Sequence, residues 1–70
     1  MNVDLDCRGL LCPLPVITLA KALPTVAIGD TVTVLADDPA AATDIPAWCR
    51  MRSQDLMSAD ENRYVIRRAS

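Results

Sequence analysis

The side chains in this 70-residue chain best suited to chemistry are three thiols, Cys7, Cys12 and Cys49. Cys12 stands in "RGLLCPLPVITLAKAL", residues Arg8 to Leu23, between a glycine-leucine turn and two prolines, with an apolar-patterned segment behind it. A helix starting at Pro13 makes Cys12 its N-cap. The first N–H groups of a helix have no intrahelical partner, so Pro13 and Pro15 remove donors that would be unpaired anyway and stiffen the turn. The remaining donors, chiefly on Leu14, together with the positive end of the helix dipole, then favour an anion at position 12. A thiolate is such an anion and is the nucleophilic form of cysteine. The pattern therefore predicts a Cys12 pKa below the free-thiol value of about 8.5, reached without a base. Such a thiolate attacks a persulfide, holds its outer sulfur and loses it to an acceptor thiolate. The plainer reading is a small capping residue beside the core, buried by Leu11 and Leu14.

The absence of histidine removes the imidazole that Ser-His-Asp and Cys-His arrangements need, and with it the commonest zinc ligand. No C-x-x-C pair is present, so no metal site is expected. Cys49 falls four residues after Ile45, a helical spacing that turns it to the core, and Cys7 alternates inward with Val3 and Leu5. Both remain secondary thiols, Cys7 because its closeness to Cys12 allows a transient disulfide. Asp37, Asp38 and Asp44 read as turn and cap residues, and nothing in the sequence supplies a partner for acid or base work. Asp6 reads as the acceptor of a turn hydrogen bond, and Trp48 as packing.

These residues need elements to hold them. "VDLDC" alternates as a strand does, and Gly9 permits a turn. From Pro13 the period changes: Val16, Leu19, Ala20 and Leu23 form one helical stripe, and Pro24 ends it. "GDTVTVLA" reads as a second strand. Asp38-Pro39 and Asp44 with Pro46 repeat a helix-start signal, predicting an initial turn and then a main helix over Ile45 to Arg52. A single unbroken helix would hold Pro46 inside it at a cost of about 3 kcal/mol. "QDLMSADENRYVIRR" reads as two strands joined by the polar turn Asp60-Glu61-Asn62. The expected architecture is an α/β (α+β) two-layer sandwich, a four-stranded mixed β-sheet with two helices on one face in the order β-α-β-α-β-β.

A chain this short forms one domain, residues 1–70, and buries only about 60% of the surface it exposes unfolded. An enclosed pocket of roughly 300 Å³ or more is hard to build beside so small a core, which favours a surface-borne reactive group offered to a partner. The net charge of -2, one Trp, one Tyr and no Phe lack the basic stripe and stacking rings of nucleic-acid binders. No apolar run reaches membrane-span length, and the acidic "MNVDLD" is unlike a secretory signal, so no membrane partner is expected and a cytoplasmic location is. Arg50, Arg52, Arg63, Arg67 and Arg68 gather in the second half. A solvated surface is their ordinary reading; a sharper one has some of them steer an acidic partner toward the start of the first helix.

"LDCRGLLCPLP" followed by "ADDPAAATDIPAWC" resembles the TusA/SirA-type sulfur-carrier (sulfurtransferase) family, marked by Cys-Pro-x-Pro at the start of the first helix and Asp-Asp-Pro…Asp-Ile-Pro…Cys around the second. The resemblance spans essentially the whole chain. It implies the two-layer sandwich, with Cys12 as the sulfur-bearing residue, Pro13, Leu14 and Pro15 as its motif, and no cofactor. It further implies a relay from a sulfur-donor protein (a cysteine desulfurase or rhodanese-like protein) to an acceptor protein, serving tRNA thiolation, sulfur oxidation or cofactor sulfuration, without independent metabolic turnover. Leu11 and Leu14 stand where many relatives carry polar residues, and an apolar rim around the sulfur points to docking on an apolar partner surface. Two other functions fit the residues: a non-catalytic interaction or regulatory module with Cys12 only a cap, and a thiol redox protein using Cys7 and Cys12.

Overall fold

The computed structural model describes residues 2–70. Strand β1 (Asn2–Asp6), helix α1 (Leu14–Ala22), strand β2 (Thr31–Leu35), helix α2 (Ala41–Met51), and strands β3 (Asp55–Asp60) and β4 (Arg63–Arg67) follow in the expected order. Lateral strand order is β1-β2-β4-β3, with β1 parallel to β2 and the other pairs antiparallel. Both parallel strands therefore end on one edge of the molecule, where both helices begin.

Alternation along the strands sorts the two faces. Val32, Val34, Tyr64 and Ile66 point inward and meet Leu19 of α1 and Ile45 and Cys49 of α2, all buried. Cys7 follows the inward set of β1 and is only 1% exposed, and Cys49 is 2% exposed, as their spacings predict. The outer face is polar: Asn2 Oδ1 accepts from Thr31 Oγ1 at 2.7 Å and Thr33 Oγ1 at 3.0 Å, and Arg67 pairs with Asp55. Asp55 and Arg67 face each other across β3 and β4, so the bond tightens a register that the inner face already specifies.

Turn chemistry matches the strand ends. Glu61 and Asn62 both adopt positive φ, 50° and 63°, the twist a two-residue hairpin needs, so Asp60 belongs to the strand rather than to the turn. After α1 the chain tightens into one 3₁₀ turn, Leu23–Thr25, around Pro24. Val26 N–H closes it on Leu23 O at 3.2 Å, and just beyond the turn Arg68 Nη1 donates to Val26 O at 2.7 Å.

Helix α2 departs from the expected division. It runs unbroken from Ala41 to Met51 with Pro46 inside, instead of starting at Ile45 after a separate turn. Proline at its sixth position removes one bond to the carbonyl of Ala42, which is exposed and open to water. Against this, Ala41, Ile45 and Cys49 at i, i+4, i+8 all reach the core. Tertiary packing of that stripe outweighs the local cost.

Burial pushes the Cys49 thiol up to about 11. A thiol that ionises later folded than unfolded contributes stability that is complete below its ordinary pKa and lost as pH climbs through the folded one. Between pH 9 and 11 the protein should lose about 2 kcal/mol through this group. Cys49→Ala should be less stable at pH 7 by about 1 kcal/mol, from a small cavity, and should show a flatter alkaline decline in urea unfolding. An equally steep decline in the variant would assign the loss to other groups.

Candidate functional site

The site is assembled from the β1–α1 loop and the segment leading from β2 into α2. Gly9, at φ 83°, turns the chain after β1 in a conformation costly for other residues, and its N–H donates to Asp37 Oδ1 at 2.9 Å. The N–H of Cys12 donates to Asp38 Oδ2 at 2.7 Å, and Asp38 Oδ1 accepts from Ala40 N–H at 3.0 Å. Two adjacent carboxylates, more than 25 residues away in sequence, thus fix the loop bearing the half-buried Cys12 against the start of α2. Those two bonds hold the Asp38 carboxyl below its usual pKa. Asp38 is a turn residue through its bond from Ala40 but not the helix cap, a place Ala40 holds with no side-chain bond; its reach to Cys12 is a tertiary contact with no local sequence signal.

Cys12 is not the helix cap. Pro13 occupies that place, α1 begins at Leu14, and the Cys12–Pro13 peptide is cis. The N–H of Leu14, expected to face the sulfur, donates to Leu11 O at 2.9 Å. The thiol meets carboxylates instead. Partial burial, a hydrogen bond to the Asp44 side chain, and the charges of Asp44 and Asp38 push Cys12 up to about 11. The expected lowering is therefore reversed: the backbone donor that would stabilise an anion is spent inside the turn, and the groups that replace it are negative.

Around the sulfur the surface is apolar. Leu11 is 72% exposed and Leu14 47%, and Ile17 continues the patch along α1. Leu11 and Leu14 form a rim and do not bury the thiol as a core would. Pro15 turns inward and is buried. Cys7 is buried in the core, and burial pushes its thiol up. Asp6 accepts from both the backbone and the guanidinium of Arg8, holding its carboxyl down to about 2. Trp48 is half-buried against the core. A cleft of about 300 Å³ beside Trp48, Arg52 and Arg68 lies at the opposite end of the molecule.

The arginines do not gather near Cys12. Arg67 and Arg68 leave β4 at the end where β2 begins, and Arg50 and Arg52 close α2 at that same end. Of the five, Arg63 alone, opposite Leu35, belongs to the Cys12 end. That end carries Asp37, Asp38, Asp44, Asp60 and Glu61. An acidic partner steered there by arginines is not what this arrangement provides.

A model of the family described as sulfurtransferase TusA matches residues 3–68. The chain belongs to the TusA family. Membership supports a sulfur-carrier, sulfurtransferase-type role exercised with partner proteins. Its sandwich is also similar to the crystal structure of a SirA-like protein from Desulfitobacterium hafniense, at 26% identity and a TM-score of 0.70, covering 94% of this chain and 92% of the other. Among the described residues no cluster of His, Cys, Asp and Glu suited to a metal ion occurs, and no helix is long and apolar enough to cross a membrane.

Absorbance titration of a Cys7→Ser, Cys49→Ala variant should place the Cys12 thiolate midpoint near 11. A midpoint at or below about 8.5 would mean that the helix end outweighs the carboxylates.

Proposed function

We propose that this TusA-family chain carries sulfane sulfur as a persulfide on Cys12, accepting it from a donor protein and passing it to an acceptor protein. One observation carries the reading: of three thiols, Cys12 alone has solvent access, and it sits within an exposed apolar rim, while Cys7 and Cys49 are 1% and 2% exposed. A carrier needs its sulfur reachable by two partners in turn and needs little pocket of its own. Burial of Cys7 counts against a redox pair with Cys12, since thiol–disulfide exchange requires access to both sulfurs.

Cys12→Ser should fold and gain no sulfur, because a hydroxyl forms no persulfide, whereas Cys7→Ser and Cys49→Ala should load. Intact mass before and after reductant, following exposure to a persulfide donor, reads this directly. A reducible added sulfur on Cys12→Ser would move the carrier site elsewhere.

Leu14→Glu tests the rim. Its side chain contributes to contact more than to core, so the variant should keep its melting temperature while transfer to or from a protein partner slows about tenfold. Unchanged transfer would place Leu14 outside the interface.

A further inference from the structure

The cleft of about 300 Å³ remote from Cys12 lies where α1 and α2 both end. The carrier reading makes no use of it. Leu23, Pro24 and Trp48 supply apolar lining, and Arg52, Gln54 and Arg68 supply hydrogen-bond donors. Among the described residues, no acidic side chain lines it.

Local geometry holds these groups in place. Trp48 and Arg52 stand four residues apart, and Arg52 N–H donates to Trp48 O at 3.0 Å, so the two residues share one face at the end of α2. The helix then stops in a Schellman turn. Ser53 takes a positive φ of 56°, its N–H donates to Arg50 O at 3.4 Å, and Gln54 N–H donates to Cys49 O at 2.9 Å. This reversal brings Gln54 to the tail that follows β4, where Gln54 Oε1 accepts from Ala69 N–H at 2.7 Å. Arg68, in that tail, is fixed by main-chain oxygens: Nη1 donates to Val26 O at 2.7 Å and Nε to Ser70 O at 3.2 Å.

The charges in the cleft are unbalanced. Side-chain ion pairs among the described residues join Arg8 to Asp6 and Arg67 to Asp55, so neither Arg52 nor Arg68 meets a side-chain carboxylate. Arg52 is exposed and its guanidinium has no hydrogen-bond partner among the described residues. A chain of net charge -2 thus sets two guanidinium groups around one cleft, with its single tryptophan beside them.

A ligand that fits must answer both halves of this lining. A bare anion would leave the apolar part uncovered, and a neutral ring would leave the guanidinium of Arg52 without an acceptor. A planar guanidinium holds a carboxylate through two parallel N–H bonds and also stacks on flat rings. The volume lies at the small end of ligand sites, room for one or two rings.

We propose that this cleft is a second binding site, for a small acid made of a flat apolar ring system and one carboxylate. Arg52 takes the carboxylate, and Trp48 with Leu23 and Pro24 takes the ring. The site is separate from Cys12, so its occupant leaves the thiol and the apolar rim open.

Trp48 is the only tryptophan, so its indole N–H gives a single NMR resonance in the whole chain and reports the cleft directly. β-Naphthoate should move that resonance saturably, with a Kd of about 1 mM or below. Methyl β-naphthyl ketone has the same flat shape without the charge, and at equal submillimolar concentration should move it at least about tenfold less. Acetate, the charge without the ring, should leave it in place. Arg52→Gln should weaken β-naphthoate at least about tenfold and leave the ketone unchanged, while Arg52→Lys, which keeps the charge and loses the planar fork, should fall between. Absence of a saturable shift with the acid, equal shifts from acid and ketone, or unchanged acid binding in Arg52→Gln would each overturn the proposal. So would shifts largest at the amides of Leu11, Leu14 and Ile17, which would seat the ring on the rim of Cys12 instead. Should Arg52→Gln fail to fold, the comparison of acid with ketone on the wild type decides.

Discussion

Much of the site hangs on one carboxylate. Asp38 accepts the N–H of Cys12 with one oxygen and that of Ala40 with the other, so a single side chain closes the β1–α1 loop and shapes the entry to α2. Neither segment has regular structure at those points, and each would otherwise expose a donor without a partner. Asp37 repeats the device at Gly9. Because β1 and β2 lie side by side and parallel, their ends deliver these two loops to the same edge of the sheet. Sheet topology brings the segments near, and two charge-assisted bonds set their spacing.

That arrangement creates a tension at the sulfur. A loop held by aspartates places negative charge beside a group whose reactive form is itself negative. The outcome is a thiol that stays protonated within a partly apolar surface. For a carrier, a resting thiol is the less exposed state chemically, since susceptibility to oxidation follows thiolate character and access. The apolar rim of Leu11 and Leu14 adds a surface that water covers poorly and a partner covers well.

The legible parts of the fold were those with strong periodicity. Alternation gave both early strands, the 3.6-residue stripe gave α1, and the polar turn gave the closing hairpin, because each pattern is the burial it produces. Pro46 misled for a physical reason: its penalty is local and readable, while the packing of Ala41, Ile45 and Cys49 that offsets it is a property of the assembled sheet. At the site, Cys12 was legible by type and position. Its electrostatic surroundings were not, since the reach of Asp38 and Asp44 depends on contacts separated by about half the chain, and a start one residue later in α1 removed the expected donor. The arginines likewise form a group in sequence and none at Cys12.

The edges of the sheet bear on how such a molecule behaves among its own copies. Strand β3 is an edge, and its pairing with β4 slips between Leu56 and Ser58, so Met57 bulges out of a row that would otherwise present regular hydrogen-bonding groups. The opposite edge, β1, carries Asp4 and Asp6, whose like charges repel a second β1 laid alongside. Neither free border therefore offers a regular, uncharged template for strand addition. A sulfur carrier that works through partner proteins depends as much on not adhering to its own copies as on recognising those partners.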